Sequence, residues 1–202
     1  MIIPGILETT FADIYKKVKM VDSVATLIQI DVVDGLVFDE LKKIDTIRTN
    51  ATFEIHLMIQ NPTQYLSSKI NKVTRAVAQV EQANPNKFIH KSKTFGYKTG
   101  LSLNPETPVE KIQPFLEKIH YVQLMTVHPG TQGSSFIPEV IDKIKEFKRK
   151  YPNIEVQIDG HMNKKLITQI EHFGVENYVV GSDIFDNITP IQRKIELEKI
   201  IN

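Results

Sequence analysis

The sequence of 202 residues contains no cysteine and no tryptophan, and it has almost no net charge. Without cysteine the chain cannot form disulfides, thiolate zinc sites or iron–sulfur clusters, and it has no cysteine nucleophile. Its 25 basic and 24 acidic residues give a formal net charge of +1. That balance argues against a nucleic-acid-binding protein, which usually carries a clustered basic excess. We therefore expect no nucleic-acid partner.

Long apolar runs and linker segments are also missing. No stretch reaches the ~18 apolar residues that a membrane span requires, and the first residues lack the basic segment of a signal peptide. We expect a cytoplasmic protein with no membrane partner. Because no Pro/Gly/Ser-rich linker divides the chain, we predict a single domain over residues 1–202.

Short apolar runs, rich in Val, Ile and Leu, recur along the chain, as expected for buried parallel strands. Amphipathic segments with helical periodicity lie between them. Eight such units of roughly 25 residues predict an α/β fold, a compact (β/α)8 TIM barrel. An open doubly wound sheet fits the same alternation, although such sheets more often have about five or six strands. The predicted strands are 2–7, 27–33, 52–58, 75–81, 98–103, 121–127, 154–158 and 177–181.

The predicted helices differ in the strength of their signals. Asn163 is a favourable N-cap and Gly174 a favourable C-cap for the helix between them. The predicted helices are 11–21, 38–48, 62–71, 84–95, 108–118, 136–150, 163–173 and 188–201.

Two aspartates mark the ends of the second and seventh predicted strands. Asp31 and Asp159 each follow an isoleucine in an apolar run, so each carboxylate must find a partner or have its pKa raised. We expect them to face a shared cavity from opposite sides, where one carboxylate removes a proton from a carbon and the other returns it on the opposite face. Alternatively, each aspartate caps a helix or pairs with a nearby lysine.

A histidine on the third predicted strand adds a nitrogen ligand. His56 and the two aspartates form a plausible set for a divalent metal ion, and Gln29 could add an amide oxygen. The alternative for His56 is a hydrogen-bonded core residue.

Two glycine-containing turns follow the sixth and eighth predicted strands. They cover residues 128–135 and 181–184. In barrels, late loops of this kind often bind phosphate through backbone N–H groups. Ordinary strand-to-helix turns are the alternative.

Together these strand ends resemble the ribulose-phosphate 3-epimerase family over nearly the whole chain. The resemblance is carried by an ordered series of motifs. These motifs are Asp31-Val32-Val33-Asp34-Gly35, His56-Leu57-Met58, Gly100-Leu101-Ser102-Leu103-Asn104-Pro105, Met125-Thr126-Val127-His128-Pro129-Gly130 with Gly133, and Asp159-Gly160 with Val180-Gly181-Ser182-Asp183.

The resemblance implies an isomerase that interconverts D-ribulose 5-phosphate and D-xylulose 5-phosphate by metal-assisted proton transfer at C3. It implies catalytic roles for Asp31 and Asp159, and a divalent ion (Zn, Fe, Mn or Co) held by these aspartates, His56 and Gln29. The substrate-binding residues that it implies are Met58, Met125, Asn104, Gly130, Gly133, Gly160, Gly181 and Ser182.

Five positions depart from the family pattern. Gln29 replaces a histidine ligand, Gly5 a substrate-contacting serine, and His161 a glycine next to the phosphate. The other two departures are Val33 and Gln79. They leave two alternatives open, an epimerase for another ketose phosphate and a catalytically silent barrel that binds a phosphorylated ligand. The sequence does not fix the metal or the oligomeric state, a homo-oligomer included.

Overall fold

The computed structural model describes residues 1–82, 84–130 and 134–201. Within these ranges, eight parallel strands pair in chain order and close into a barrel, because the first strand pairs with both the second and the eighth. The predicted (β/α)8 barrel is therefore confirmed, and the open sheet is excluded. The strands are β1 (Ile2–Leu7), β2 (Leu27–Val32), β3 (Thr52–Leu57), β4 (Val73–Gln79), β5 (Lys98–Leu103), β6 (Tyr121–Met125), β7 (Glu155–Asp159) and β8 (Asn177–Val180).

Helices follow most of the strands. Asn163 caps the helix Lys164–Ile170 by accepting a hydrogen bond from the Leu166 amide, and Gly174 ends the following turn with a φ of 80°. None of the helices in the described ranges is long and apolar enough to cross a membrane. The α-helices are α1 (Phe11–Val21), α2 (Phe38–Lys42), α3 (Pro62–Tyr65), α4 (Pro85–Thr94), α5 (Val140–Lys150), α6 (Lys164–Ile170), α7 (Ser182–Phe185) and α8 (Pro190–Glu198).

Two predicted helices are much weaker in the structure. Residues 108–118 form two short 3₁₀ turns, Val109–Lys111 and Gln113–Lys118, because Pro114 cannot continue an α-helical ladder. The segment 62–71 is helical only over its first turn. Two serines follow that turn, and serine competes with the backbone for hydrogen bonds in a helix interior.

The main apolar core lies between the strands and the helices and includes Ile28, Ile30 and Val32 of β2. A small separate apolar cluster, Ile3, Leu27 and Val179, lies apart from this core. Most of the remaining interior is polar and fully buried. It contains Gln29, Glu54, Gln123 and Gln157, together with Arg75, which is 7% exposed.

Arg75 is the charged centre of this interior. Its Nε donates to Glu54 at 2.6 Å and its Nη1 donates to Glu155 at 2.8 Å. The guanidinium carbon lies 3.9 Å from the centre of the Tyr121 ring, which is within cation–π distance. Tyr121 fits there because its neighbour on β5 is Gly100. A Cβ at Gly100 would lie 2.5 Å from ring atoms of Tyr121.

Candidate active site

The two aspartates face one cavity at the carboxyl ends of the strands. Asp31 and Asp159 both line it, and Gln29 Nε2 donates to Asp31 Oδ1 at 2.7 Å and to Asp159 Oδ2 at 2.9 Å. The expectation that the two carboxylates face each other across the barrel is wrong, because only β1 and β8 separate their strands on one side. A single amide nevertheless joins them, and neither caps a helix.

His56 lies beneath the carboxylates and is fully buried. Its Nδ1 is 3.3 Å from Asp31 Oδ1 and 3.2 Å from Asp159 Oδ2. Its Nε2 is 3.3 Å from Gln79 Oε1, and Gln79 Nε2 donates in turn to Asn104 Oδ1 at 2.9 Å. A proton on Nε2 of His56 can be donated to the Gln79 oxygen. Nδ1 faces the carboxylates and lies 3.1 Å from Gln123 Nε2.

The imidazole and its neighbouring groups shift the pKa values of His56 and Asp31. Burial alone would lower the pKa of His56, but hydrogen bonds to Asp159 and Asp31 outweigh it and raise the pKa to about 10. Burial raises the pKa of the Asp31 carboxyl, and the hydrogen bond from His56 offsets only part of that rise. The two aspartates therefore favour the protonated form of the His56 ring.

The donor set fits a divalent metal ion. One ligand atom from each of Asp31, His56 and Asp159 lies within 4.8 Å of the others. Ligand atoms at about 2.1 Å from a tetrahedral ion lie roughly 3.4 Å apart, close to the separations of Nδ1 from the two carboxylate oxygens. A histidine ligand usually donates its other N–H to a fixed acceptor, as His56 does to Gln79. Gln29, by contrast, presents an N–H₂ group, which has no lone pair to offer a metal.

The cavity has a volume of about 110 Å³. Its walls combine apolar side chains with the glycine-containing turns, as the resemblance implied. The expected residues that line it, besides the aspartates, are Met58, Met125, Gly130, Gly160, Gly181 and Ser182.

Backbone conformation and close packing explain why residue 160 is a glycine. Gly160 has a φ of +116°, and a Cβ there would lie 2.6 Å from Val127 Cγ2. The next residue, His161, also has a positive φ, of 51°, a conformation that is uncommon for residues with a side chain. His161 also lines the cavity, so a side chain stands where the family has glycine.

The remaining expected residues lie elsewhere. Asn104 contacts Gln79 and is not part of the cavity wall, and Val33 lines a separate groove beside α2. Gly133 lies outside the described residues, as do Thr131 and Gln132 of the same turn.

Three further residues at the site were missed from the sequence. Gln123 Nε2 donates to Asp159 Oδ2 at 2.9 Å, and Gln157 Nε2 donates to Gln29 Oε1 at 3.0 Å. The sequence could have indicated both glutamines, because each lies two residues before a residue at a strand end and therefore points to the same face of its strand. Lys17 of α1, paired with Glu8 at 2.7 Å, also lines the cavity. Its position on an amphipathic helix gave no such signal.

The missing side chain of Gly5 leaves room for Val179 on the neighbouring strand β8. A Cβ at this position would lie 2.6 Å from Val179 Cγ1. We expect Gly5→Ser, which restores the family residue, to lower the free energy of unfolding by about 1–3 kcal/mol through overpacking. Urea denaturation measures this change. In Gly5→Ser/Val179→Ala the serine should occupy the vacated space, so the double variant should be more stable than the sum of the single changes predicts. Additive losses would contradict the proposed contact.

The closed barrel of eight parallel strands with its cavity at their carboxyl ends places the protein in the TIM-barrel class. Among solved structures, 3-hexulose-6-phosphate synthase from Salmonella typhimurium superposes with a TM-score of 0.74 at 11% identity, covering 99% of this chain and 97% of that one. KGPDC from Streptococcus mutans gives a TM-score of 0.74 at 10% identity, covering 99% and 96%. At these identities the likeness shows the fold alone.

The sequence comparisons show the family. The model of the ribulose-phosphate 3 epimerase family matches residues 1–185. The cytoplasmic isoform of ribulose-phosphate 3-epimerase from Oryza sativa subsp. japonica is 31% identical, over 94% of this chain and 89% of the relative. Ribulose-phosphate 3-epimerase from Bacillus subtilis is also 31% identical, over 90% of each chain. The chain belongs to the ribulose-phosphate 3-epimerase family and is a carbohydrate epimerase, an isomerase.

Proposed function

We propose that the protein interconverts D-ribulose 5-phosphate and D-xylulose 5-phosphate by moving a proton at C3. The observation that carries this proposal is the pair Asp31 and Asp159, which one amide holds side by side at the wall of a single cavity. Two carboxylates at one carbon can exchange a proton on either face. Relatives whose names state this epimerase activity support the choice of substrate.

Each carboxylate has one oxygen held and one available. Gln29 and His56 contact Oδ1 of Asp31 and Oδ2 of Asp159. In the described parts of the chain, the other oxygen of each carboxylate accepts no hydrogen bond. The available oxygen of one aspartate would remove the C3 proton, which the adjacent C2 carbonyl makes acidic. The other aspartate, in its acid form, would then protonate the opposite face.

The apolar walls assist this proton transfer. Met58 and Met125 line the cavity beside the carboxylates, where they would limit water around the reacting carbon. Lower local polarity strengthens the interactions of developing charge with fixed groups. These side chains would therefore help to retain the proton between the substrate and the two aspartates.

A divalent metal ion would be held by Asp31, His56 and Asp159. When bound, it supplies a positive charge that stabilises the negative charge developing on the C2 and C3 oxygens of the substrate. The resident metal is not identified by the residues, since carboxylate and imidazole ligands suit several first-row ions.

The phosphate would occupy the glycine-lined end of the cavity. Gly130, Gly160, Gly181 and Ser182 line this region, and backbone N–H groups in such turns commonly bind phosphate in barrels. Lys17 supplies a cation at the same cavity. We therefore expect a phosphorylated substrate to bind more tightly than the free sugar.

An epimerase of another ketose phosphate is the second candidate. The observation that favours it is His161, whose side chain lines the cavity in place of the family's glycine. Such a change can alter which sugar fits without removing the paired carboxylates.

Proton exchange at C3 tests the proposed function. In deuterated water, we expect the protein to convert D-ribulose 5-phosphate to D-xylulose 5-phosphate with deuterium at C3, observed by proton NMR. A panel of other ketopentose and ketohexose phosphates separates the two candidates. Faster exchange with another member of the panel would favour the second candidate, and no exchange with any member would contradict both.

Metal content provides an independent measurement. We expect about one divalent ion per chain in protein purified without a histidine tag, and loss of activity after chelation that added metal reverses. His56→Gln should lower metal affinity by on the order of 10²-fold or more, because it removes a ligand. His90→Gln, an exposed change on α4, is the matched control. Equal metal content in both variants would exclude His56 as a ligand.

A further inference from the structure

We propose that Gln29 and Gln123 are positioning residues whose amide nitrogens hold the catalytic carboxylates, and that Arg75 sets the direction of both amides through Gln157. This inference rests on the proposed function and assigns a task to the polar interior beneath the cavity. The pattern of donors and acceptors in this interior begins at a group that cannot accept a hydrogen bond.

That group is the guanidinium of Arg75, which has five N–H donors and no acceptor. Its Nη2 lies 3.2 Å from Oε1 of Gln157. The atom of Gln157 that faces Arg75 must therefore be the oxygen, and the amide nitrogen must point the other way. Ion pairs with Glu54 and Glu155 fix the guanidinium itself.

Gln157 passes this direction to two more amides. Its Nε2 lies 3.0 Å from Gln29 Oε1 and 2.7 Å from Gln123 Oε1, and it also contacts Glu54. Because Nε2 is a donor, Gln29 and Gln123 both turn their oxygens toward it. Their own nitrogens are consequently directed away from Gln157.

The nitrogens reach the carboxylates. Gln29 Nε2 donates to both Asp31 and Asp159, and Gln123 Nε2 donates to the same Oδ2 of Asp159. If the Gln29 amide were reversed, its oxygen would face carboxylate oxygens of both aspartates, an arrangement without a hydrogen bond. A reversed Gln123 would place its oxygen against Asp159 Oδ2 and would leave only the His56 ring, 3.1 Å from the present nitrogen, as a donor to it. The network thus holds one oxygen of each catalytic carboxylate in place and leaves the other for the substrate.

The burial of the three glutamine side chains favours a functional role for them. Gln29, Gln123 and Gln157 are fully buried on three different strands, in a layer that barrels usually fill with branched apolar side chains. Placing amides there requires each polar atom to be paired. A packing role alone would not require the nitrogens of two amides to converge on the same carboxylate.

The test combines three variants with an epistasis measurement. We expect Gln157→Met and the double variant Gln29→Met/Gln123→Met each to lower kcat for ribulose 5-phosphate by about 10–100-fold, as loss of supporting hydrogen bonds around a site typically does. KM should change little, because the cavity walls are intact. In the triple variant, Gln157→Met should add almost nothing, since Gln157 acts through the other two glutamines. Additive losses in kcat, or a change confined to KM, would overturn the proposal.

A matched control separates positioning from general loss of packing. Thr99 Oγ1 and Ser92 Oγ form a fully buried hydrogen bond at 2.9 Å between β5 and α4, away from the cavity. Thr99→Val should lower Tm to a similar extent but leave kcat unchanged. An equal loss of kcat in this control would show that the glutamine effects are structural.

NMR of the glutamine side chains tests the role of Gln157 without any substrate, and so independently of the proposed function. In protein with ¹⁵N-labelled glutamine side chains, the NH₂ groups of Gln29 and Gln123 should be protected from exchange with solvent, and Gln157→Met should shift both signals. Unshifted signals would overturn the role of Gln157 even if wild-type activity is high. Conversely, shifted signals in a protein inactive on ribulose 5-phosphate would contradict the proposed substrate only. If Gln157→Met does not fold, Gln29→Met alone tests the donor role by the same kcat criterion.

Discussion

Replacing Asp31 with asparagine should lower kcat for epimerisation by about 10²–10⁴-fold, the usual contribution of a general acid or base. The variant should still exchange the C3 proton of one epimer with deuterated water, namely the epimer whose C3–H faces Asp159. Asp159→Asn should show the reverse preference. Proton NMR of each epimer with each variant measures both exchange and conversion.

This pattern of proton exchange distinguishes a mechanism with two proton-transferring carboxylates from a mechanism with a single one. If a single aspartate carried the proton to both faces, one variant would lose exchange with both epimers and the other would keep it. Asp34→Asn is the matched control, since Asp34 lies three residues further along the chain and is exposed. We expect that variant to retain wild-type kcat. Full activity in Asp31→Asn would remove the basis of the mechanism.

The second large effect concerns stability. Arg75→Met should lower the free energy of unfolding by about 3–5 kcal/mol, because it leaves the fully buried carboxylate of Glu54 without its charged partner. Urea denaturation at constant pH measures the loss. The double variant Arg75→Met/Glu54→Gln should recover part of it, since no unpaired charge then remains inside the barrel.

A surface pair provides the comparison. Asp142 and Lys145 lie 3.3 Å apart with side chains 87% and 50% exposed, and solvent weakens such pairs so that they contribute little. Asp142→Asn should therefore barely change stability. If Arg75→Met were equally harmless, water would have to solvate Glu54, contrary to its burial.

The sequence predicted the barrel well, because the strands of this chain are regular and outward-facing residues such as Ile28 and Ile30 form a continuous apolar layer. The rule that barrel sites lie at strand ends also selected Asp31, His56 and Asp159, which the structure brings together. The extent of weak helices was harder to predict. Residues 108–118 have a helical composition but are interrupted by proline.

The direction of the Gln29 amide could not be predicted. Glutamine carries a donor and an acceptor at the same place, and sequence alone cannot say which one faces a neighbour. Here the choice depends on Gln157, which lies 128 residues later in the chain, and on Arg75 beyond it. For the same reason, the fit between Gly5 and Val179 becomes visible only when β1 and β8 pair and close the barrel.

Gly100 has no chemistry of its own and lies on β5, a strand that contributes no residue to the cavity wall. Nevertheless, the space left by its missing side chain is where the Tyr121 ring rests, and that ring underlies the guanidinium of Arg75. A methyl group at residue 100 would therefore displace the Tyr121 ring and the Arg75 guanidinium that lies on it. The glycine that begins the Gly-Leu-Ser-Leu-Asn-Pro motif thus supports the charged interior of the barrel by leaving room for an aromatic ring.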